Sequence, residues 1–173
     1  MKLSFSLFLQ ACLVLVTITV NAADFKIIAE VDEQAADFPS DSKYESLGNH
    51  VISSGGHIAF TGAASISQNS TTQNAVWSGK PGQLKTVIRE GDSPNGFIAS
   101  TLFSRVATSR FNNLLISDSG SVAFRAEMVG SKTGDAILAA VNGTTFGIIQ
   151  EGEPAPGFPA GTIVVEIYDQ MNP

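Results

Sequence analysis

Residues 116–124 read Ile-Ser-Asp-Ser-Gly-Ser-Val-Ala-Phe, and this stretch decides the fold because it occurs twice. Its earlier copy, residues 52–60, reads Ile-Ser-Ser-Gly-Gly-His-Ile-Ala-Phe. The two copies align without a gap at an offset of 64. The match indicates a tandem repeat, and a repeat informs on architecture more than on activity.

The repeat extends beyond this motif. Residues 84–92 match residues 145–153 at an offset of 61, so three residues are missing from the loop after the second motif. Residues 25–32 form a further copy of the same segment, at an offset of 60. These closely similar offsets define the repeat period. The chain holds two full units, preceded by the tail of a third.

Each unit contains four strand candidates separated by glycine-containing turns. In the first unit one strand ends at residue 52, and the others cover 58–62, 75–78 and 84–89. In the second unit one ends at residue 116, and the others cover 122–128, 136–141 and 145–150. No segment has a sustained apolar period of 3.6 residues. The sequence predicts an all-β chain of tandem four-stranded antiparallel sheets that resemble β-propeller blades.

The motif positions have structural roles in such a sheet. We expect the glycine to supply a positive φ, and the serine hydroxyl to bond the backbone two residues on. We expect the alanine to lie where a neighbouring sheet comes close, and the phenylalanine to be buried between sheets. The residues with these roles are Ser53, Gly56, Ala59, Phe60, Ser117, Gly120, Ala123 and Phe124.

The repeat count sets the domain organisation. We divide the chain into a signal peptide (1–22), the tail of a partial repeat with a linker (23–48), repeat unit 1 (49–110), repeat unit 2 (111–161) and the start of a further, truncated repeat (162–173). A propeller closes with at least four blades. We therefore expect an incomplete, open ring whose sheet edges favour self-association.

Residues 1–22 have the pattern of a secretory signal peptide. Lys2 precedes an apolar run, and small residues end the segment before Ala23. The run is short for a bilayer span, so we predict cleavage and secretion, with no membrane span afterwards. Cleavage would remove Cys12, the single cysteine, and leave a chain that cannot form a disulfide.

The charge is acidic, with 16 Asp and Glu against 10 Lys and Arg. This balance argues against nucleic acid and anionic membranes as partners. We expect the partner to be an extracellular protein or a glycan.

The motif resembles the NxxGxxAF tandem repeat of secreted bacterial choice-of-anchor proteins. Gly56, Ala59 and Phe60 match it, as do the same three positions of the second copy, whereas Ser53 and Ser117 stand in place of the asparagine. The resemblance covers essentially all of the chain after residue 22. It implies a secreted repeat protein with a propeller-like fold, and it supplies no activity.

Candidate chemistry is sparse. His50 and His57 flank one turn, but no convincing third metal ligand accompanies them. No nucleophile elbow, phosphate loop or dinucleotide fingerprint is present. Four acidic residues in recurrent turns offer oxygen ligands to calcium, although we favour solvated turns as their explanation. These residues are Glu90, Asp92, Glu151 and Glu153.

Two functions follow as hypotheses. One is a secreted, non-enzymatic module that binds a surface partner or a glycan, without a cofactor other than a candidate calcium ion. The alternative is a secreted hydrolase or lyase that acts on polysaccharide in a propeller channel.

Overall fold

The computed structural model describes residues 26–66, 71–106 and 114–167. Within them the chain forms two antiparallel sheets and no helix, so these ranges contain no helix that could cross a membrane. The predicted leader and residues 168–173 lie outside these ranges. The strands are β1 (Lys43–Ile52), β2 (Ile58–Ile66), β3 (Thr71–Gly79), β4 (Lys85–Arg89), β5 (Thr101–Val106), β6 (Leu114–Ile116), β7 (Val122–Gly130), β8 (Gly134–Val141) and β9 (Thr144–Gln150).

Sheet A is a meander of four strands in the order β1-β2-β3-β4. Sheet B has the order β5-β7-β8-β9, and β6 pairs with the same edge of β7 that β5 uses. The first strand of sheet B is therefore in two pieces, with residues 107–113 between them. Both sheets are open, since the described strands do not close either into a barrel.

The all-β prediction is confirmed. Strands end at Ile52 and Ile116, and β2 to β4 and β7 to β9 overlap the six predicted ranges. The sequence pattern missed β5, which begins at Thr101, within the range 49–110 assigned to unit 1. The repeat motif marks the end of each first strand, because the glycine turn follows there. It contains no signal for the residue at which β5 begins.

The two faces of each sheet differ, and we name them by the motif. The Phe face carries the motif phenylalanine, and the Ala face carries the alanine next to it. The Ala face of sheet A packs against the Phe face of sheet B, which buries Ala59 and Phe124 in one cluster. Ala59 thus lies at a neighbouring sheet, as expected, whereas Ala123 is half-buried on the Ala face of sheet B. The other buried residues of the cluster are Val76, Ile88, Phe103, Leu114, Val122, Ala126, Met128, Ala136, Leu138 and Ala140.

The Phe face of sheet A is covered differently. Trp77 stacks on Phe60 with ring centroids 5.3 Å apart, and Phe38 of the segment before β1 packs on Trp77 at 5.6 Å. Both motif phenylalanines are buried, as expected. Only Phe124 lies between two sheets, however, because residues preceding β1 cover Phe60.

The loop that leads into each first strand occurs three times, at residues 30–44, 89–103 and 150–164. An amide at the start of each copy donates to a carbonyl at the end of the same copy: Asp32 N to Tyr44 O (2.9 Å), Gly91 N to Phe103 O (2.9 Å) and Gly152 N to Val164 O (2.6 Å). Each copy also has three positive φ angles at matching positions. These positions are Asp32, Asp37 and Asp41; Gly91, Gly96 and Ser100; and Gly152, Gly157 and Gly161.

These matching positions correct the register of the first copy. Asp32 is equivalent to Gly91, at an offset of 59, whereas the sequence match placed Asp32 opposite Asp92 at an offset of 60. Aspartate tolerates a left-handed conformation better than most side chains, so it replaces glycine here. The backbone geometry, which an alignment of side chains does not reveal, sets the register.

Candidate ligand cleft between the two sheets

The two motif turns have the same hydrogen bonds. Ser53 Oγ accepts from His57 N at 3.1 Å, and Ser117 Oγ accepts from Ser121 N at 3.0 Å. We expected each serine hydroxyl to bond the backbone two residues on, but it accepts from the amide four residues on. The hydrogen bond therefore spans the base of the turn. Gly56 and Gly120 have φ angles of 74° and 87°, which confirms the predicted positive φ.

The two turns also contact each other. Ser54 Oγ donates to Asp118 Oδ1 at 2.7 Å, and the Gly55 amide donates to the same oxygen at 3.3 Å. The Ser54 hydroxyl bond holds the pKa of the Asp118 carboxyl below its usual range. A Cβ at Gly55 would lie within 3.0 Å of the Asp118 carbonyl oxygen, so this approach requires glycine. The contact joins the two sheets at their turn ends.

His57 lies against the turn of sheet B. A Cβ at Gly120 would be 2.8 Å from His57 Cδ2, so this glycine makes room for the imidazole ring. The ring is half-buried, and its Nδ1 is buried without a hydrogen-bond partner. In the motif alignment His57 stands opposite Ser121, and this alignment does not reveal that a second turn packs on the imidazole ring.

A cleft of about 390 Å³ opens beside these turns, between the two sheets. We call it the turn-end cleft. The β3–β4 turn and β4 form one wall, and the sheet B turns form the other. Its lining residues are His57, Ser78, Gly79, Lys80, Gln83, Lys85, Thr86, Val87, Ser119, Gly120, Ser121, Val122, Ala140, Asn142 and Gly143.

The lining is polar and carries cationic groups. Hydroxyl and amide side chains line the cleft together with Lys80, Lys85 and His57, and none of the described lining residues is acidic. In the sequence, residues 80–83 lie in one of the glycine-containing turns between strand candidates. Its one usable signal was that Lys80 and Lys85 differ from the second unit, where the paired strands place Val141 and Phe146.

The four acidic residues considered for calcium have separate partners. Glu90 Oε2 accepts from Asn74 N at 3.1 Å, and at the equivalent position of the second unit Glu151 Oε2 accepts from Asp135 N at 3.1 Å. Each glutamate thus bonds the backbone of the third strand in its sheet, β3 in sheet A and β8 in sheet B. Within the described ranges, no group of three or more Asp, Glu, His or Cys side chains is arranged to hold a metal ion. His50 and His57 therefore have no third ligand there.

The other two acidic residues bind cations or backbone. Asp92 Oδ2 accepts from the Arg89 amide at 2.8 Å, and Glu153 Oε1 pairs with Lys132 Nζ at 2.5 Å. Carboxylates with such partners are poor candidates to turn together toward one ion. Calcium binding by these loops stays a prediction from the sequence.

We expect millimolar calcium to leave the melting temperature of the protein unchanged, because its loop carboxylates already have partners. Thermal unfolding followed by circular dichroism, with calcium and with a chelator, measures this directly. A rise in the wild type that both Asp92→Asn and Glu153→Gln abolish would instead assign calcium to the loops.

No curated protein and no solved structure matches the chain. A family match covers residues 13–172, which include both sheets and all three copies of the loop. The chain belongs to the family of unknown function DUF7453.

Proposed function

We propose that this protein is a secreted, non-enzymatic repeat module that binds an extracellular glycan in the turn-end cleft. The observation that carries this proposal is the polar cleft between the sheets, lined by hydroxyl, amide and ammonium groups. Sugars present hydroxyl groups at many angles, and such side chains can bond them. An extracellular protein partner would engage the same wall through its polar side chains.

The cleft lining bears on the alternative of a secreted hydrolase or lyase acting on polysaccharide. Glycoside hydrolysis normally uses two carboxylates, and the described lining residues include none. A lyase needs only a base beside the sugar, and the imidazole of His57 lines the cleft. Measurement of product release, separate from binding, distinguishes the two functions.

The test uses a panel of immobilised polysaccharides and the exported protein. We expect binding to at least one polymer without release of reducing ends or unsaturated sugars. Ser119→Trp places a large ring in the cleft and should abolish binding, whereas Ser40→Trp adds the same ring at an exposed site on the first loop and should not. Product release by the wild type, or equal binding by both variants, would contradict the proposal.

We further propose that the two sheets are consecutive propeller-like blades of an open ring, related to NxxGxxAF repeats. Support comes from the stacking of an Ala face on a Phe face and from the three copies of the loop. The serine substitutions fit this kinship. The hydroxyl of Ser53 accepts a turn hydrogen bond that an asparagine side-chain oxygen would accept equally well.

The Ala face of sheet B is proposed to associate with a second copy of the chain. Its Leu115 is 68% exposed, and Phe158 of the third loop is also 68% exposed, whereas the equivalent Phe38 is 8% exposed against sheet A. The corresponding face of sheet A is covered by sheet B. Both Phe faces of a second copy are already covered, so the second copy would present its own Ala face of sheet B, and the two apolar faces would pack on each other.

We expect light scattering to show dimers or larger species of the mature protein. Leu115→Glu should shift this population toward monomer, because it places a charge on the proposed contact face. Ile27→Glu is the matched control, since Ile27 is exposed on the segment before sheet A. A wild type that stays monomeric at high concentration would rule out this association.

Secretion is proposed from the leader, which lies outside the described residues. We expect N-terminal sequencing of exported protein to begin at or near Ala23, because small residues precede that position. An Ala22→Leu variant should slow processing, whereas Ala23→Leu should affect it less. Recovery of intact Met1 from the medium would contradict cleavage.

A further inference from the structure

The turn-end cleft is basic in an acidic protein. The chain has a formal net charge of −6, yet the described residues that line this cleft include two lysines, a histidine and no acid. The β3–β4 pairing sets Lys85 opposite Ser78, on the Ala face that looks toward sheet B. Lys80 lies in the turn that connects these strands. Their ammonium groups therefore belong to the cleft and not to the far side of the sheet.

These lysines are not used to hold the fold together. Four other cations in the described ranges form ion pairs, namely Arg89, Arg105, Arg125 and Lys132, with Asp92, Glu127, Asp135 and Glu153 respectively. Neither cleft lysine takes part in any of these pairs. An ammonium group outside these pairs is available to a ligand.

The acids next to the cleft are engaged elsewhere. The Asp37 carboxylate accepts from the Thr86 amide at 3.0 Å, and the Asp118 carboxylate accepts from Ser54 Oγ at 2.7 Å. Neither residue lines the cleft. They lower the local positive potential, but they do not neutralise the lysines by direct contact.

The second repeat unit serves as an internal comparison. Strand pairing makes Phe146 the equivalent of Lys85. Lys85 lies opposite Ser78, and Phe146 lies opposite the equivalent position of the third strand in sheet B. By the same offset Val141 is equivalent to Lys80, and in the motif Ser121 is equivalent to His57. Both lysines of the cleft, and the imidazole of His57, thus occupy positions where the other unit has an uncharged side chain. The repeat fold does not need them, which points to a function.

We propose that the turn-end cleft selects anionic sugar residues, carboxylated or sulfated, of an extracellular polysaccharide. This inference rests on the proposed function and adds the charge of the ligand to it. Lys80 and Lys85 contact the anionic group, and the neighbouring hydroxyl and amide side chains bond the sugar ring. Because the rest of the surface is acidic, the polymer is held at this cleft and repelled elsewhere.

The experiment measures binding of the full exported chain to polygalacturonate, dextran sulfate and neutral dextran. We expect one or both anionic polymers to bind and dextran not to bind, with affinity falling as salt is raised. Binding of polygalacturonate alone assigns carboxylate selectivity, and binding of dextran sulfate alone assigns sulfate selectivity.

A pair of charge-matched double variants tests the residues. Lys80→Gln with Lys85→Gln should weaken anion binding about tenfold or more, as expected for the loss of two charge-assisted contacts. Lys26→Gln with Lys43→Gln removes the same charge from exposed lysines outside the cleft and should change affinity little. All four lysines are exposed, so melting temperatures should stay near that of the wild type.

The remaining outcomes separate this inference from the proposed function. Equal loss in the two double variants would show a general charge effect and overturn the inference. Binding of dextran or another neutral glycan that Ser119→Trp abolishes, without binding of either anionic polymer, would overturn anion selectivity and leave the glycan-binding module intact. Absence of binding to every polymer of both panels would overturn both.

Discussion

Truncation of Phe124 to Ala is expected to lower the free energy of unfolding by about 3–5 kcal/mol, as found for buried phenylalanines. Phe124 is 2% exposed, and its ring meets Phe103 edge-on at a centroid distance of 6.3 Å. It lies where the Ala face of sheet A meets the Phe face of sheet B, so the loss would leave a cavity in the interface between the sheets. Phe60→Ala should cost a similar amount, because its ring stacks on Trp77.

Urea unfolding followed by circular dichroism and by Trp77 fluorescence measures this effect. Trp77 is the only tryptophan and belongs to sheet A, whereas Phe124 belongs to sheet B. Coincident transitions from the two probes would show that the sheets unfold together. Ile27→Ala is the matched control, because Ile27 is exposed on the segment before sheet A and its loss should change stability by less than about 0.5 kcal/mol. Wild-type stability in Phe124→Ala would show that the motif phenylalanine is not part of the core.

The features of the fold that could be predicted are local ones. The turn at Gly56 and the turn at Gly120 each need a positive φ, which glycine adopts at no steric cost. The positions of these turns predicted that one strand ends at Ile52 and another at Ile116. The beginning of β5 could not be predicted, because it follows a loop whose shape depends on hydrogen bonds to Phe103 rather than on a glycine turn within the repeat motif.

The candidate cleft could not be predicted, because it forms between elements that are distant in sequence. Lys80 and Lys85 lie in sheet A, and Ser119 and Asn142 lie in turns of sheet B. The face-to-face packing of the sheets, together with the contact of the two motif turns through Ser54 and Asp118, brings these walls together. The acidic turns recur in the sequence, which suggested a shared ligand. For Glu90 and Glu151 the recurrence reflects a shared structural hydrogen bond to the backbone of a third strand.

The aromatic cluster on the Phe face of sheet A explains how this sheet is covered without a second sheet in front of it. At the position of Trp77 sheet B has Leu138, and at the position of Tyr44 it has Phe103. The Phe face of sheet B is covered by sheet A. The Phe face of sheet A has no sheet in front of it, and its larger rings, together with Phe38, fill the equivalent space. Burial raises the pKa of the Tyr44 hydroxyl, which accepts the Ala36 amide hydrogen bond.

Trp77→Ala is therefore expected to destabilise the protein by about 3–5 kcal/mol, with the effect concentrated in sheet A and the loop before it. Trp77 is fully buried, packs on three aromatic rings, and donates its indole N–H to Ala36 O at 3.1 Å. Its removal would create a cavity beneath the first loop and release that loop from the sheet.

Trp77→Phe separates packing from hydrogen bonding. The Ala36 carbonyl also accepts from Thr86 Oγ1 at 2.8 Å, so it keeps a partner when the indole is gone. We expect this variant to lose only about 1–2 kcal/mol, for one hydrogen bond and part of a ring. Because both variants lack the fluorescent probe, urea unfolding is followed by circular dichroism. If Trp77→Ala and Trp77→Phe unfolded at the same urea concentration, the indole bond rather than ring packing would hold the first loop on sheet A.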